Sequence, residues 1–183
     1  IYYPDKTRVG WWKNGYPEYF AKVLNAVNWI GLHITINGVL LDLNKAEILD
    51  FERVLDMKRG VLERRFTARL SNGNEISVEA IRFYSLAEDE IGAMSYAVKA
   101  ENFDGIISIE SYLDFDVVNQ DSNYDQRFWT PVSQEITSDY GQVKSKTKKT
   151  NFSVACGMIN KWSQNSELIT NSQECIDKSQ KVS

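Results

Sequence analysis

Histidine occurs once in this chain and cysteine twice, among 183 residues. Each shortage closes off a class of chemistry. A Ser-His-Asp triad would have to use His33, and no Cys/His pairs stand at the spacing a zinc site needs. His33 lies in the alternating run "LHITI", where an imidazole is a surface or satisfied strand residue rather than a general base. Cys156 and Cys175 are too few for a disulfide framework in a chain of this size. They read as two free thiols in a reducing compartment, which places the chain in the cytoplasm. The chain begins at Ile1, so a leader upstream of it stays open.

Long apolar runs are missing too. None approaches the roughly 18 residues required to cross a bilayer, and no basic-then-apolar secretory signal is present. A basic excess is also lacking: the net charge is −4 and the isoelectric point about 5.1. That excludes a general nucleic-acid binder, which carries a basic footprint. The one basic cluster, "KSKTKK" from Lys144 to Lys149, reads as the solvated face of a strand. The nucleophile elbow, the P-loop and the dinucleotide fingerprint are absent. So are calcium-loop spacings. No catalytic residue, metal site or cofactor is expected within these residues.

What is present is an ordinary globular composition, 43% hydrophobic and 25% charged, enough for one good-sized domain. From Asn28 onward the chain punctuates itself as strand, turn, strand. Asn37-Gly38 stands between "WIGLHITI" and "VLLDL", a strong hairpin signal because both central residues of a type I′ turn need positive φ. "FERVLDMK-RG-VLERRFTARL" repeats the format at Arg59-Gly60. In its second arm Leu62, Phe66, Ala68 and Leu70 share one face, and Glu63, Arg65, Thr67 and Arg69 the other.

"SNGN" (71–74) turns the chain into "EISVEAIRFYSL", with Ile76, Val78, Ala80, Tyr84 and Leu86 in step. "IGAMSYAVKAE" and "GIISIESYLDFDVV" supply two more strands, and "GQVKSKTKKTNFSVACGMI" another strand or pair. Many short strands at regular spacing predict an all-β, antiparallel sandwich. Glu18–Ala26, "EYFAKVLNA", carries the single helical pattern and predicts at most one short helix near the N-terminus. "NQDSNYDQRFWTPVSQ" (119–134) reads as a long patternless loop. The polar tail after Trp162 gives one weak strand signal near Glu167–Thr170.

Carboxylate pairs were the remaining catalytic candidates. Asp114 and Asp116 alternate with Leu113, Phe115 and Val117, which puts them on the wet face of a strand. Glu88–Glu90 occupy a turn. Neither forms an acid–base set. The aromatic stretches "GWWKNGYPEYF" (10–20) and "NYDQRFW" (123–129) remain. Their rings suit either packing or the apolar faces of pyranose sugars, with asparagine amides to bond the hydroxyls. Trp11, Trp12, Asn14 and Tyr16 are the candidate substrate-binding residues.

The run "YYPDKTRVGWWKNGYPEYFAKVLNAVNWIGLHITING", followed by "LDL" and "FERVLDMKRGVLERRF", resembles the maltose phosphorylase family, glycoside hydrolase family 65. "RFYSLAEDEIGAMSYAVKAENFDGIISIES" fits the same family, and the resemblance is strong to about Thr130 and looser beyond. It implies that residues 1–183 are a truncated N-terminal β super-sandwich of a larger enzyme. That enzyme would carry its catalytic acid and phosphate site on an (α/α)₆ barrel outside this chain. The implied reaction is inverting phosphorolysis of an α-linked glucose disaccharide such as maltose, with inorganic phosphate as co-substrate. A homodimer is implied as well. Under this resemblance "GWWKNGYPEYF" docks against the rest of the enzyme, with a smaller share in shaping the sugar pocket.

Overall fold

The computed structural model describes residues 1–6, 15, 17–119, 127–137, 140–169, 177–178 and 181–183. Among them there is no helix. In chain order the strands are β1 Tyr2–Lys6, β2 Tyr19–Val23, β3 Asn28–Ile36, β4 Val39–Leu40, β5 Glu47–Asp56 and β6 Val61–Arg69. There follow β7 Glu75–Tyr84, β8 Gly92–Ala100, β9 Ile107–Asp114, β10 Trp129–Ile136, β11 Tyr140–Thr147 and β12 Ser153–Ile159. Four two-residue strands complete the set: β13 Ser163–Gln164, β14 Glu167–Leu168, β15 Asp177–Lys178 and β16 Lys181–Val182. The ribbon β1–β2, the strands β10–β12 and the strands β5–β8 are all paired antiparallel, as the alternating patterns require.

The residues group into two compact units, 1–31 with 111–183, and 32–110. The second is built on the meander β5-β6-β7-β8. Register pairs Phe51 with Phe66, Phe66 with Val78, and Val78 with Val98, so these side chains share one face. Ile34, Ile36, Phe66, Ala68, Leu70, Ile76 and Val78 form its buried cluster. The alternation expected in β6 and the first half of β7 is what places them there.

The turns follow local chemistry. Asn37 (φ 47°) and Gly38 (φ 81°) both lie in the left-handed region and close β3 onto β4. Asn37 does a second job: its N–H donates to the Ile106 carbonyl, and its Oδ1 accepts from the Ile106 N–H, both at 2.9 Å. The hairpin at Arg59-Gly60 is wider than a two-residue turn, because Asp56 pairs with Val61. The Asp56 carboxylate accepts the N–H groups of Lys58 and Arg59 at 3.0 Å and sets the longer loop. A Cβ added at Gly38 would meet nothing within 4 Å, so its replacement by alanine costs only backbone strain. We expect Gly38→Ala to lower stability by about 1–2 kcal/mol in urea unfolding.

In the other unit, Leu24, Leu113, Phe115, Phe128, Trp129 and Val143 form the core. Strand β11 alternates cleanly, with Gly141, Val143, Ser145 and Thr147 inward and Gln142, Lys144 and Lys146 outward. Lys144 and Lys146 thus lie on the wetter face of a strand, as their spacing predicts, while Lys148 and Lys149 stand in the turn that follows it. Buried Thr147 is satisfied: its hydroxyl meets that of Thr150 at 2.7 Å and accepts the Phe152 N–H at 2.9 Å.

Two expectations are corrected here. Tyr19–Val23 is strand, not helix, because it pairs along its length with β1, Tyr2 with Val23 through Lys6 with Tyr19. And the end of the patternless loop, from Trp129, is strand β10. Its alternation is broken by a register shift between Pro131 and Ser133, on an edge strand where proline is tolerated.

Candidate functional site

Trp11, Trp12, Asn14 and Tyr16 lie outside the described residues. What the structure gives is their mounting. Lys6 opposite Tyr19 is the last pair of the β1–β2 ribbon, so the aromatic stretch forms the connection between its strands. An ion pair between Lys6 and Glu18 (3.4 Å) sits at that end, with the Lys6 ammonium 5.8 Å from the centre of the Tyr19 ring. Both groups of the ion pair are exposed, so it adds little stability.

Antiparallel register puts Tyr2, Pro4, Lys6, Tyr19, Ala21 and Val23 on one face of the ribbon. Tyr2 and Tyr19 are 64% and 61% exposed. Tyr2, Pro4, Tyr19 and Ala21 line a shallow concavity of about 300 Å³. Lys22 points the other way and is buried, its ammonium 5.3 Å from the centre of the Phe128 ring. The ribbon is tied down at its far end by reciprocal amides. Asn25 N–H donates to Asn119 Oδ1 (2.9 Å), Asn119 Nδ2 to the Val23 carbonyl (2.7 Å), and Trp129 Nε1 to the Asn25 carbonyl (2.7 Å).

This face offers rings and aliphatic surface, with Glu18 as the carboxylate beside it. It can stack or pack; it holds no acid–base pair. Tyr2 and Tyr19 were not singled out as a pair from sequence, because the helical pattern over 18–26 hid their shared face. The alternation in "YYPDK" was the available signal.

The other aromatic candidate resolves into core. Of "NYDQRFW", residues 123–126 lie outside the described residues, while Phe128 and Trp129 are buried and the Trp129 ring packs 5.1 Å from Phe115. Those two side chains are committed to packing, not to a sugar. The carboxylates are structural. Asp116 pairs with Arg127, and Asp114 accepts the Asp116 N–H at 2.7 Å. Burial pushes the Asp114 carboxyl above its usual range, opposed by Lys181 and Arg127.

His33 Nδ1 lies 3.6 Å from a Glu110 carboxylate oxygen, half-exposed on β3. Among the described residues no three His, Cys, Asp or Glu groups form a metal-ligand set. No described helix is long and apolar enough to cross a membrane. Cys156 is a free thiol, and Cys175 lies outside the described residues. Burial raises the Cys156 thiol above its ordinary pKa, which disfavours the reactive thiolate. Alkylation of Cys156 at neutral pH, followed by peptide mass spectrometry, is expected to be slow in the native chain and to accelerate on unfolding.

Comparison with known proteins decides the family. The model for the N-terminal domain of glycosyl hydrolase family 65 matches residues 1–183. The chain belongs to this family. Maltose phosphorylase of Bacillus subtilis (strain 168) is 41% identical over 152 residues, which is 83% of this chain and 20% of that protein. Alpha,alpha-trehalose phosphorylase of Thermoanaerobacter brockii is 31% identical over 160 residues, 79% of this chain and 21% of the relative. A solved human-microbiome protein assigned as a kojibiose phosphorylase superposes with a TM-score of 0.74 at 24% identity, over 90% of this chain and 20% of its own. This family 65 chain therefore spans about a fifth of the length of the relatives it matches.

Proposed function

We propose that this chain is the non-catalytic N-terminal domain of an inverting α-glucoside phosphorylase. It supports a catalytic (α/α)₆ barrel and the homodimer, and it narrows access to the sugar site. The single observation that carries this is the match of the whole chain to one domain of the family, joined to 41% identity with a fifth of a maltose phosphorylase. Several carboxylates of the described residues are committed to ion pairs or to backbone N–H groups.

In the whole enzyme the reaction is maltose plus phosphate giving glucose and β-glucose 1-phosphate. The bond from C1 to the bridging oxygen breaks, and a phosphate oxygen bonds C1 from the opposite face. A carboxylic acid of the barrel passes its proton to the departing oxygen. Phosphate is the co-substrate; neither a metal nor an organic cofactor takes part, and the enzyme works in the cytoplasm. Trp11, Trp12, Asn14 and Tyr16, carried at the end of the β1–β2 ribbon, shape the entrance for the α-linked disaccharide.

A chimera tests this directly, with this chain replacing the matching fifth of Bacillus subtilis maltose phosphorylase. Phosphate-dependent release of glucose from maltose is the expected result. A folded chimera without that activity would sink the proposal. A second reading, a free-standing carbohydrate-binding module, draws on the exposed Tyr2 and Tyr19 rings. It requires that the chain bind sugar in isolation, which a supporting domain does not.

A further inference from the structure

The β1–β2 ribbon is a sheet of two strands, a form that is marginally stable alone and depends on what it packs against. Register gives it two ends. Tyr2 opposite Val23 is the root, and Lys6 opposite Tyr19 is the tip, from which residues 7–18 join the strands. Just past the root, Leu24 N–H donates to the Ile1 carbonyl at 3.1 Å, and the Leu24 side chain enters the core. Four steps of about 3.4 Å put the tip roughly 14 Å from the root. A tilt of about 10° at the root therefore moves the tip by about 2 Å.

Four hydrogen bonds meet at that root, and each has Asn25 or Asn119 as a partner. Asn119 Oδ1 accepts the Asn25 N–H at 2.9 Å, and Asn119 Nδ2 donates to the Val23 carbonyl at 2.7 Å. Asn25 Nδ2 donates to the Val118 carbonyl at 3.0 Å, and the Asn25 carbonyl accepts Trp129 Nε1 at 2.7 Å. The partners fix which way the Asn119 amide points, since a carbonyl takes only the donor side and an N–H only the acceptor side. Trp129, 4% exposed and packed 5.1 Å from Phe115, carries the connection into the core.

Stability is a poor reason for this arrangement. Asn25 is exposed and Asn119 half-buried, and hydrogen bonds that water can replace add little net stability. Direction is a better one. A planar amide that accepts on one side and donates on the other is strict about angle. The ribbon's remaining ties are not. Leu24 is held by non-directional apolar packing, Lys22 lies buried with its ammonium 5.3 Å from the Phe128 ring centre, and Lys149 reaches the Pro4 carbonyl at 3.3 Å on a flexible stem. Those contacts keep the ribbon attached and leave its tilt to the two amides.

We propose that Asn119, with Asn25, is a positioning residue for the disaccharide: the two amides set the direction of the ribbon and thereby where residues 7–18 stand at the sugar entrance. The proposal rests on the reading above, in which Trp11, Trp12, Asn14 and Tyr16 shape that entrance, and adds the residues that aim them. Asn119 and Asn25 act through the ribbon and not by contact with the sugar. A displaced entrance affects the bound disaccharide before and during reaction alike, so the loss falls on binding more than on the chemical step.

Asn119→Ala in the chimera with Bacillus subtilis maltose phosphorylase is the test. KM for maltose should rise about three- to tenfold, with kcat within about twofold and KM for phosphate unchanged. Asn160→Ala is the comparison. It deletes another exposed amide bond of the same unit, 2.6 Å to the Ser111 hydroxyl and involving no ribbon residue, and should leave both KM values as they were. Hydrogen–deuterium exchange of this chain gives a readout independent of activity: Asn119→Ala should speed exchange in Tyr2–Lys6 and Tyr19–Val23 and leave Tyr140–Thr147 unchanged. An active chimera whose maltose KM is indifferent to Asn119→Ala overturns this inference and leaves the reading above standing. Unchanged exchange in the ribbon, or an equal response to Asn160→Ala, overturns it as well. An inactive unaltered chimera removes the reading above, and this inference with it.

Discussion

Replacing Trp129 by alanine is expected to cost about 3–5 kcal/mol of stability, measured from the midpoint of urea unfolding. The side chain is 4% exposed, packs against Phe115 and sits within the cluster of Leu24, Leu113, Phe128 and Val143. Its removal leaves a large void, and a packed interior closes such a void only in part. The indole also has a polar duty, the 2.7 Å bond to the Asn25 carbonyl. Trp129→Phe separates the two contributions. It keeps most of the ring and strands one carbonyl, so about 1–2 kcal/mol should be lost. Should Trp129→Ala prove as mild as Trp129→Phe, the ring would not be a core anchor, and a ligand-stacking role would return to consideration.

Phe66→Ala is the second large effect, again about 3–5 kcal/mol. Phe66 is 2% exposed at the centre of the other cluster, with Ile34, Ile36, Ile76 and Val78. Its register partner Phe51 stacks on it at 6.5 Å between centroids but is 45% exposed. Truncation of Phe51 should therefore cost well under half as much, about 1 kcal/mol, because nearly half of the residue stays in water and an open site leaves no closed void. The pair of variants locates the border between the covered and uncovered parts of one sheet face. Equal losses at both positions would place that border wrongly.

Much of the fold was legible because its signals are local. Asn37-Gly38 closes a hairpin for the reason its residue types predict, and the alternation of Phe66, Ala68 and Leu70 is set by a period of two. What escaped had a tertiary cause. Residues 19–23 carry a helix-compatible pattern, yet pairing with Tyr2–Lys6 makes them a strand, and that partner cannot be inferred from the segment alone. The strand at Trp129–Ile136 was hidden by Pro131 and the register shift beside it.

Sites were less legible than strands. "NYDQRFW" and "GWWKNGYPEYF" look alike in composition, but Phe128 and Trp129 are core, and only burial separates a core ring from a waiting one. The arginines at 53, 64 and 82 are scattered in sequence. Register sets Arg53 opposite Arg64 and Arg82 opposite Leu62, which no motif spacing announces.

The central claim is that this chain supports a phosphorylase and does not bind the sugar on its own. Calorimetric titration of the chain with maltose, glucose and inorganic phosphate at millimolar concentration tests it most directly. No saturable heat with any of the three is the predicted result. Saturable heat with maltose that disappears on Trp11→Ala or Trp12→Ala would contradict the claim and make the aromatic stretch a sugar platform in its own right.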